Sequence, residues 1–406
     1  MLPVIFRVPG LGWDVPGYGL VLMIGFLASV MWAVRRAERS GADPDVVLNL
    51  GFLALLGGVG GARAMFVYHY WEQFGNRGSA IEVVRAILDV RRGGLEVYGG
   101  FITVVILVIG YLWWTKRSIR WYLDIVAPSA ALGMALGRVG CFFNGCCFGG
   151  VCDLPWAVRF PFGSPAAVQH WTELRPGAGL PQQLIVFPSG GAYGSGWGAL
   201  PLPREEIMTL SPKLVEATHQ AVATVAARQK EVQARLAQVT DATERQRLDA
   251  ELAALQKQSA AAVARQAGLG CSAAPTHSVE LLNKYDLSAS ELRALAERFP
   301  SQTVHPTQLY STLTLGLLAA ALGALYWRRT RDGQVIFTLL LIEPWTRWVL
   351  EVLRADNPVD TLGAFTVSQF LGICLSAIGL CGLVALRRLR PRSPRAVPWT
   401  PPAEPA

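Results

Sequence analysis

The chain has 406 residues, of which 52% are hydrophobic and only 16% are charged, and its mean hydropathy is +0.33. This composition excludes an ordinary soluble protein and indicates an integral membrane protein. The formal net charge of +8 does not indicate nucleic-acid binding, because the basic residues form short clusters beside apolar runs, as in the cytoplasmic loops of membrane proteins.

Apolar runs long enough to cross a bilayer recur along the chain, since a transmembrane helix needs about 20 residues. They lie at about residues 17–34, 46–70, 95–114, 121–143, 306–327, 335–353 and 362–386. The sequence therefore predicts an all-α polytopic membrane protein with about seven transmembrane helices. Basic clusters follow the first, third, fifth and last runs, which predicts an external N-terminus and a cytoplasmic C-terminus. We expect no cleaved signal peptide, because residues 1–16 have no apolar region.

The apolar runs divide the chain into four parts. We expect an N-terminal membrane half at 1–152, an extracytoplasmic insert at 153–303, a C-terminal membrane half at 304–386 and a disordered basic cytoplasmic tail at 387–406. The first half should hold helices one to four, and the second half helices five to seven.

The insert is expected to be irregular at first, with a short strand at Trp156 to Phe160, and helical further on. Residues 205–266 are rich in Ala, Gln, Glu and Arg and carry apolar residues at helical spacing. A capping box at Asp241-x-x-Glu244 separates two runs, so the region predicts a helical hairpin or coiled coil. Ser288-x-x-Glu291 predicts the start of a further helix. Charge-laced helices of this kind are typical of a solvated arm or a partner-binding spacer.

The fourth apolar run ends in Gly137-Arg138-Val139-Gly140-Cys141-Phe142-Phe143-Asn144-Gly145. An arginine inside a bilayer helix is costly, so Arg138 should face a polar interior and meet an anion. The glycines allow close approach of backbone or ligand, and Asn144 offers both a donor and an acceptor. The alternative is a snorkelling arginine beside a packing seam of small residues.

The sixth run places Glu343, Arg347 and Glu351 four residues apart, and hence on one helix face. Two acids and an arginine in one membrane helix indicate a polar cavity, although such a ladder could also neutralise itself. In the second run, residues 57–61 are glycine-rich and predict tight packing against a neighbour. Arg63 follows, either as a wall of the site or as a residue that pairs two helices, or else as the structural partner of an intramembrane acid such as Asp124.

Several polar residues lie at the outer ends of the predicted helices. Tyr18 begins the first helix, where it either anchors the membrane interface or lines the site. Tyr98 lies between the glycine pairs 93–94 and 99–100, a pattern that predicts bent backbone lining a cavity. His305, Gln308 and Tyr310 precede or open the fifth helix, at the same outer depth as Arg138.

Four cysteines, Cys141, Cys146, Cys147 and Cys152, lie close together at the outer membrane face. Because this face is oxidising in most bacteria, we rank a disulfide first, inert packing residues second and a metal third. Their spacing lacks the C-x-x-C pairs of a zinc site. Cys271, after Gly268-Leu269-Gly270, is attributed to chance rather than to a lipobox, because it has no preceding signal segment.

The motif from Gly137 to Gly145 resembles the signature of bacterial prolipoprotein diacylglyceryl transferases. Further resemblances are Tyr18-Gly19-Leu20, Asp124-x-x-Ala127-Pro128, the stretch from His305 to Tyr310, and Arg347-x-x-x-Glu351 with Arg354. The chain departs from the family pattern at Tyr98, where the family has a histidine thought to be catalytic, and at Cys141, Cys146 and Ser311, where it has Asn, Glu and Glu.

The resemblance implies transfer of diacylglycerol from phosphatidylglycerol to the lipobox cysteine of a prolipoprotein signal peptide, at the bacterial inner membrane. The resemblance also implies contact with membrane lipids and no contact with nucleic acid. The implied reaction requires no metal and no soluble cofactor. The implied catalytic residues are Arg138, Arg347 and Tyr98; the implied substrate-binding residues are Arg138, Tyr18, Asn144, His305, Gln308, Tyr310, Glu351 and Arg354.

Two other classes of function remain open from the sequence. A membrane thiol-disulfide enzyme would use Cys141, Cys146, Cys147 and Cys152. A non-catalytic scaffold or transporter would use the insert or an arginine-lined cavity.

Overall fold

A computed structural model describes most of the chain. The described residues are 4–7, 14–75, 80–88, 94–171, 180–186, 200–202, 207, 224, 227–237, 244–255, 281–282, 284–354, 361–362 and 365–393. They divide into two compact units, of which one comprises Met1–Gly17 with Phe143–His305 and the other Tyr18–Phe142 with Pro306–Ala406.

The second of these units is a helical bundle. Its long helices are α1 (Gly17–Ser40, which starts at the boundary), α2 (Pro44–His69), α3 (Val97–Trp114), α4 (Ile119–Asn144, which ends just beyond it), α5 (Thr307–Arg328), α6 (Gln334–Leu353) and α7 (Val367–Leu386). Among the described residues, six of these helices are long and apolar enough to span a membrane. The exception is α6, which carries Glu343, Arg347 and Glu351. The prediction of an all-α polytopic membrane protein is confirmed.

Helices α1 and α4 run antiparallel and pack through small residues. A methyl group added to Gly140 would lie 3.1 Å from the Tyr18 ring, and one on Gly133 would lie 3.1 Å from Ser29 Oγ. Further along, Arg36 of α1 donates to the carbonyl oxygen of Ile125 at 2.6 Å. The start of α1 therefore lies beside the end of α4.

Helices α2 and α3 pack even more closely. A side chain on Gly61 would collide with Thr103 and with the carbonyl oxygen of Gly99, and one on Gly100 would collide with the carbonyl oxygen of Gly58. The glycine-rich stretch of the second helix thus packs against a neighbour, as its sequence predicts.

Arg63 takes the helix-pairing role among those predicted for it. Its guanidinium donates to the carbonyl oxygens of Ala86, Ile87 and Gly94 at 2.7, 2.8 and 2.9 Å. These carbonyls belong to the end of the short helix Ala80–Leu88 and to the chain before α3. Arg63 therefore fixes the connection between α2 and α3, while Asp124 binds elsewhere.

Asp124 of α4 accepts hydrogen bonds from the start of α6. Its carboxylate receives the backbone N–H groups of Gly333, Val335 and Ile336 at 2.7, 2.9 and 2.9 Å, and Arg329 Nε lies 3.4 Å away. Since the first N–H groups of a helix have no partner within the helix, Asp124 caps α6 from a neighbouring helix.

The other unit has its own core, formed by Phe162, Leu184, Leu202, Ile207, Leu282 and Leu292 with their neighbours. Its helix Ala289–Glu297 begins at the predicted capping box, in which the Glu291 N–H donates to Ser288 Oγ at 3.2 Å and the Ser288 N–H to Glu291 at 2.8 Å. Two small antiparallel pairs, Val4–Arg7 with Asp14–Pro16 and Ile185–Val186 with Leu200–Pro201, belong to the same unit.

The strand predicted at Trp156 to Phe160 is wrong. Only Val158 pairs there, through an isolated bridge to Val304. The Ala157 N–H closes a turn onto the Leu154 carbonyl oxygen at 2.9 Å, and the Phe160 N–H donates to Ser301 Oγ at 2.8 Å. Turn and side-chain bonds therefore use the groups that a strand ladder would need.

Within 205–266, residues 227–236 and 244–255 are helical. Arg228 of the first stretch pairs with Glu251 of the second at 3.1 Å, and Val232 and Leu248 are buried. The predicted cap residue Asp241 lies outside the described residues.

Candidate active site

The signature arginine and the signature glycines lie on different faces of α4. Gly137 and Gly140 face α1, where a methyl group on either would contact Leu22 or Tyr18. Successive residues of a helix point about 100° apart, so Arg138 leaves this packing seam. The seam interpretation is thus right for the glycines, and the half-buried Arg138 remains available for electrostatic contacts.

Arg138 and Arg347 both interact electrostatically with one carboxylate. It belongs to Glu343 of α6, which lies one turn before Arg347 on the same helix, while Arg138 lies on α4. The two arginines that the resemblance implied for the site are thus both within range of an electrostatic interaction with Glu343.

Ser368, at the start of α7, extends this arrangement. Arg347 Nη2 donates to Ser368 Oγ at 3.3 Å, and the Tyr98 hydroxyl lies 3.1 Å from the same Oγ. Ser368 is held by the first turn of α7, which begins with a capping box between Thr366 and Gln369. We call Tyr98, Arg138, Glu343, Arg347 and Ser368 the signature cluster; its members come from α3, α4, α6 and α7.

One donor of the signature cluster is unsatisfied. Within the described residues, Arg347 Nε is buried and has no hydrogen-bond acceptor. A buried donor without an acceptor is unfavourable by roughly 1–3 kcal/mol, and more when it is charged. An anionic ligand would supply the acceptor that this donor lacks.

The other predicted residues of α6 form a pair of their own. Arg354 Nη1 lies 3.5 Å from Glu351 Oε2, and the Glu351 side chain is only 3% exposed. This pair follows Arg347 by one turn or more, towards the end of the helix. The ladder on α6 thus splits, with Glu343 near Arg347 and Glu351 near Arg354.

Gln308 and Tyr310 lie in the first turn of α5. Gln308 is buried and Tyr310 is half-buried. The Thr312 hydroxyl lies within 3.3 Å of the Ala135 carbonyl oxygen on α4, one turn before Arg138. Tyr18 is 39% exposed at the start of α1. The bundle therefore gathers these residues around the last turns of α4.

Asn144 and His305 belong to the other unit. The exposed Asn144 ends α4 and is followed by a turn in which Gly145 and Cys147 adopt φ values of +77° and +60°. Beyond that turn, the Gly149 N–H donates to the His305 carbonyl oxygen, and the His305 N–H to that of Gly150, each at 3.0 Å. The chain after the signature and the chain before α5 are thus paired.

Sequence reasoning missed Ser368 and a histidine–glutamate pair. His69 Nδ1, at the end of α2, lies 2.8 Å from both carboxylate oxygens of Glu96, which precedes Tyr98 by two residues. Glu96 could have been found from the sequence, because it lies with Tyr98 between the glycine pairs 93–94 and 99–100. Ser368 gave none, since a serine at a helix start is ordinarily read as a capping residue.

An apolar cavity of about 340 Å³ lies among α1, α2, α3 and α4. Its walls include Leu22, Phe26, Leu50, Val104 and Val126. Such a lining suits a hydrocarbon chain rather than a polar ligand.

The disulfide ranked first for the cysteine cluster does not occur in the structure. In the described part of the chain, no disulfide involves Cys141, Cys146, Cys147 or Cys152, each of which is half-buried.

Comparison with known proteins points to one family. The family model described as prolipoprotein diacylglyceryl transferase matches residues 3–385. Proteins named phosphatidylglycerol–prolipoprotein diacylglyceryl transferase are among the similar curated relatives. That of Rhodopirellula baltica is 42% identical over 154 residues, covering 38% of this chain and 31% of the relative. That of Pseudoalteromonas translucida is 37% identical over 174 residues, covering 42% and 62%. The alignments therefore span from under a third to about three fifths of these relatives' length.

Proposed function

The chain belongs to the prolipoprotein diacylglyceryl transferase family, and on that premise we propose that it transfers the diacylglyceryl group of phosphatidylglycerol to the lipobox cysteine of prolipoproteins. The proposed location is the bacterial inner membrane, with the N-terminus and the insert at 153–303 outside. The observation that carries the proposal is the electrostatic attraction of Glu343 to both Arg138 and Arg347, together with the buried Arg347 Nε that has no acceptor within the described residues.

The reaction requires stabilisation of a phosphate that becomes a leaving group. The cysteine thiolate attacks the glycerol carbon, a C–S bond forms, the C–O bond to phosphate breaks, and glycerol phosphate leaves with the bonding electrons. Guanidinium groups held in a low-dielectric site stabilise the growing negative charge without reorganisation. We assign this task to Arg138 and Arg347.

Glu343 keeps the two arginines together before the lipid binds. Two guanidinium groups repel each other, and a carboxylate between them offsets this repulsion. When the phosphate arrives, it replaces part of the attraction that Glu343 provides. Glu343 is therefore proposed as a positioning residue, and the apolar cavity as a place for an acyl chain.

Tyr98 is proposed to orient the phosphate-binding arginine rather than to accept the thiol proton. An ordinary tyrosine has a pKa near 10 and a cysteine near 8.5, so an unperturbed tyrosinate is not available at neutral pH. The hydroxyl of Tyr98 reaches Arg347 through Ser368. The His69–Glu96 pair, two residues from Tyr98, is the proton acceptor that we propose instead, since a carboxylate orients an imidazole for that role.

The remaining predicted residues, Tyr18, Asn144, His305, Gln308, Tyr310, Glu351 and Arg354, are proposed to shape the lipid and signal-peptide sites. The division at 1–152, 153–303, 304–386 and 387–406 is likewise a proposal, with the insert as a solvated arm or spacer.

The experiment is reconstitution. Purified protein is mixed with phosphatidylglycerol vesicles and a lipobox peptide, and mass spectrometry follows the peptide while glycerol phosphate is measured in solution. We expect a diacylglyceryl mass on the cysteine and an equal amount of glycerol phosphate. A peptide with serine at that position and vesicles of phosphatidylcholine serve as controls.

Two outcomes contradict the proposal. Absence of the adduct with folded protein would remove the transfer function. Oxidation or reduction of the peptide thiol, dependent on Cys146 and Cys147, would favour a thiol-disulfide enzyme instead.

A further inference from the structure

A basic cavity, separate from the signature cluster and from the apolar cavity, lies between α1 and α5. Its volume is about 400 Å³, within the roughly 300–1,000 Å³ typical of ligand pockets. Helix α1 supplies Trp32, Arg35, Arg36 and Arg39, and α5 supplies Gly323 and Trp327 among smaller neighbours.

The cavity arises from two complementary helix faces. Positions 32, 35, 36 and 39 follow the i, i+3, i+4, i+7 spacing of one helix face, and so do positions 320, 323, 324 and 327 on α5. The α1 face is basic and aromatic, and the α5 face consists of Ala, Gly and Ala before its tryptophan. A methyl group on Gly323 would lie 3.3 Å from the Trp32 ring, so the faces touch there. The small α5 side chains leave the remaining space open.

Arg36 is held as a fixed positive charge. It is only 4% exposed, and its Nη1 donates to the Ile125 carbonyl oxygen at 2.6 Å and to Ser129 Oγ at 3.2 Å. Its guanidinium also lies 4.3 Å from the centre of the Trp32 ring and 5.6 Å from that of Tyr326. All these partners are neutral.

The cavity arginines have no acidic partner within the described residues. Nearby basic residues differ, since Arg117 pairs with Asp43 at 2.9 Å and Arg329 with Asp332 at 3.6 Å. The cavity therefore carries three positive charges that no acid within the described residues compensates, those of Arg35, Arg36 and Arg39. Arg35 and Arg39 are exposed beside the buried Arg36, and a basic cluster at this end of a membrane helix attracts anionic lipid headgroups.

This cavity is remote from the signature cluster. Arg36 contacts α4 at Ile125, whereas Arg138 lies thirteen residues further along the same helix, a rise of about 20 Å. The two basic sites therefore lie towards opposite ends of the bundle, and one lipid phosphate cannot occupy both.

We propose that the cavity binds the phosphodiester headgroup of an anionic phospholipid, in the leaflet opposite to the transfer site. Planar guanidinium groups match the oxygen geometry of a phosphate, and tryptophans at this depth are typical of the membrane interface. Basic pockets between transmembrane helices on the cytoplasmic side are known lipid-headgroup sites. The bound lipid fills the space between α1 and α5 and takes no part in the chemistry.

The test measures lipid binding to the purified full chain by native mass spectrometry. Phosphatidylserine is the probe, and all proteins carry Arg347→Ala to weaken the transfer site. The variant is Arg35→Gln with Arg39→Gln; the matched control is Arg387→Gln with Arg388→Gln, which removes the same charge from exposed positions beyond α7. We expect the cavity variant to bind at least roughly tenfold more weakly, since two charge-assisted contacts are lost, and the control to bind normally.

Three outcomes would overturn the proposal. Equal losses in variant and control would mean unspecific attraction to a basic surface. Equal retention of phosphatidylcholine would mean that the anionic headgroup is not recognised. Displacement of the lipid by inorganic phosphate at low millimolar concentration would mean a site for a soluble anion. If the double variant does not fold, Ala320→Leu with Ala324→Leu decides, because it fills the cavity without changing charge and must weaken binding similarly.

Discussion

The carboxylates at the start and in the middle of α6 have different kinds of partner. At its start, the Asp124 carboxylate is fully buried and receives three backbone N–H groups, with Arg329 3.4 Å away. In its middle, Glu343 interacts electrostatically with two guanidinium groups, those of Arg347 and Arg138. Arg329 Nε and Arg347 Nε are both buried without a hydrogen-bond acceptor within the described residues, so the regions differ in their carboxylates. The Asp124 carboxylate is occupied by backbone N–H groups, which makes its role structural, whereas Glu343 is shared by two arginines that a ligand could also bind.

Removal of the arginines of the signature cluster should have the largest effect on activity. Arg347→Ala and Arg138→Ala should each reduce diacylglyceryl transfer by about 10²–10³-fold or more, because each removes a charged donor from the leaving phosphate. Lysine at either position should restore only part of the activity, since a point charge replaces a planar fork. Reconstituted transfer is the measurement, and Arg388→Ala is the control. Normal turnover by both folded alanine variants would remove the phosphate-binding role.

The opposite result is expected at the start of α6. Asp124→Ala should destabilise the bundle by about 3–5 kcal/mol, because it leaves buried N–H groups and a buried arginine without their acceptor. Asp43→Ala removes both the cap of α2 and the ion pair with the partly exposed Arg117, and should have the smaller effect of about 1–2 kcal/mol. Reversible denaturation in mixed micelles measures both. A folded Asp124→Ala protein of normal stability but without activity would show that Asp124 belongs to the chemistry.

Tyr98 tests how far the signature cluster extends. Tyr98→Phe should keep part of the activity, because only the hydrogen bond to Ser368 is lost, and Tyr98→His should raise the rate at neutral pH. The measurement is the pH–rate profile with a lipobox peptide. His69→Gln is the paired variant and should remove the low-pH limb. Total loss in Tyr98→Phe, without a gain in Tyr98→His, would make Tyr98 the base.

A smaller effect is expected outside the membrane bundle. His170 is buried, accepts the Gln302 N–H at 3.1 Å on Nδ1 and packs edge-on against Phe148, and burial lowers its pKa. His170 therefore binds a proton more tightly in the unfolded chain than in the folded one. Its contribution to the stability of the folded state is fully present above about pH 6.5 and is lost as the pH falls below that value. His170→Asn should flatten the pH dependence of thermal unfolding in this range. An unchanged dependence in His170→Asn would assign it to other groups.

The smallest effect should come from the helical arm. Deletion of about residues 208–266, which keeps the core residue Ile207, should leave transfer to a short peptide unchanged, since exposed ion pairs such as Arg228–Glu251 contribute little to stability. The same reconstituted assay measures it. Complete loss of activity in a correctly inserted deletion would place the arm in the site.

The sequence predicted residues whose charge is costly in a membrane and missed those whose role depends on contacts between distant helices. Arg138 and Arg347 stand out because an arginine in an apolar run needs an explanation. Ser368 does not, because its hydroxyl is meaningful only beside Tyr98, which is 270 positions away. The acceptors of Arg63 could not be predicted, since they are carbonyl groups of a short helix and of the chain before α3, and carbonyl positions have no signature in sequence.

The Asp124 cap also determines a membrane depth. Asp124 binds the backbone of α6 at Val335, and Arg347 follows twelve residues later, which corresponds to a rise of about 18 Å along the helix axis. In the proposed mechanism, the level at which a lipid phosphate meets Arg347 is therefore set by a contact between α4 and α6 about 18 Å away along the helix. The same α4 carries Arg138, so one helix sets the positions of both arginines.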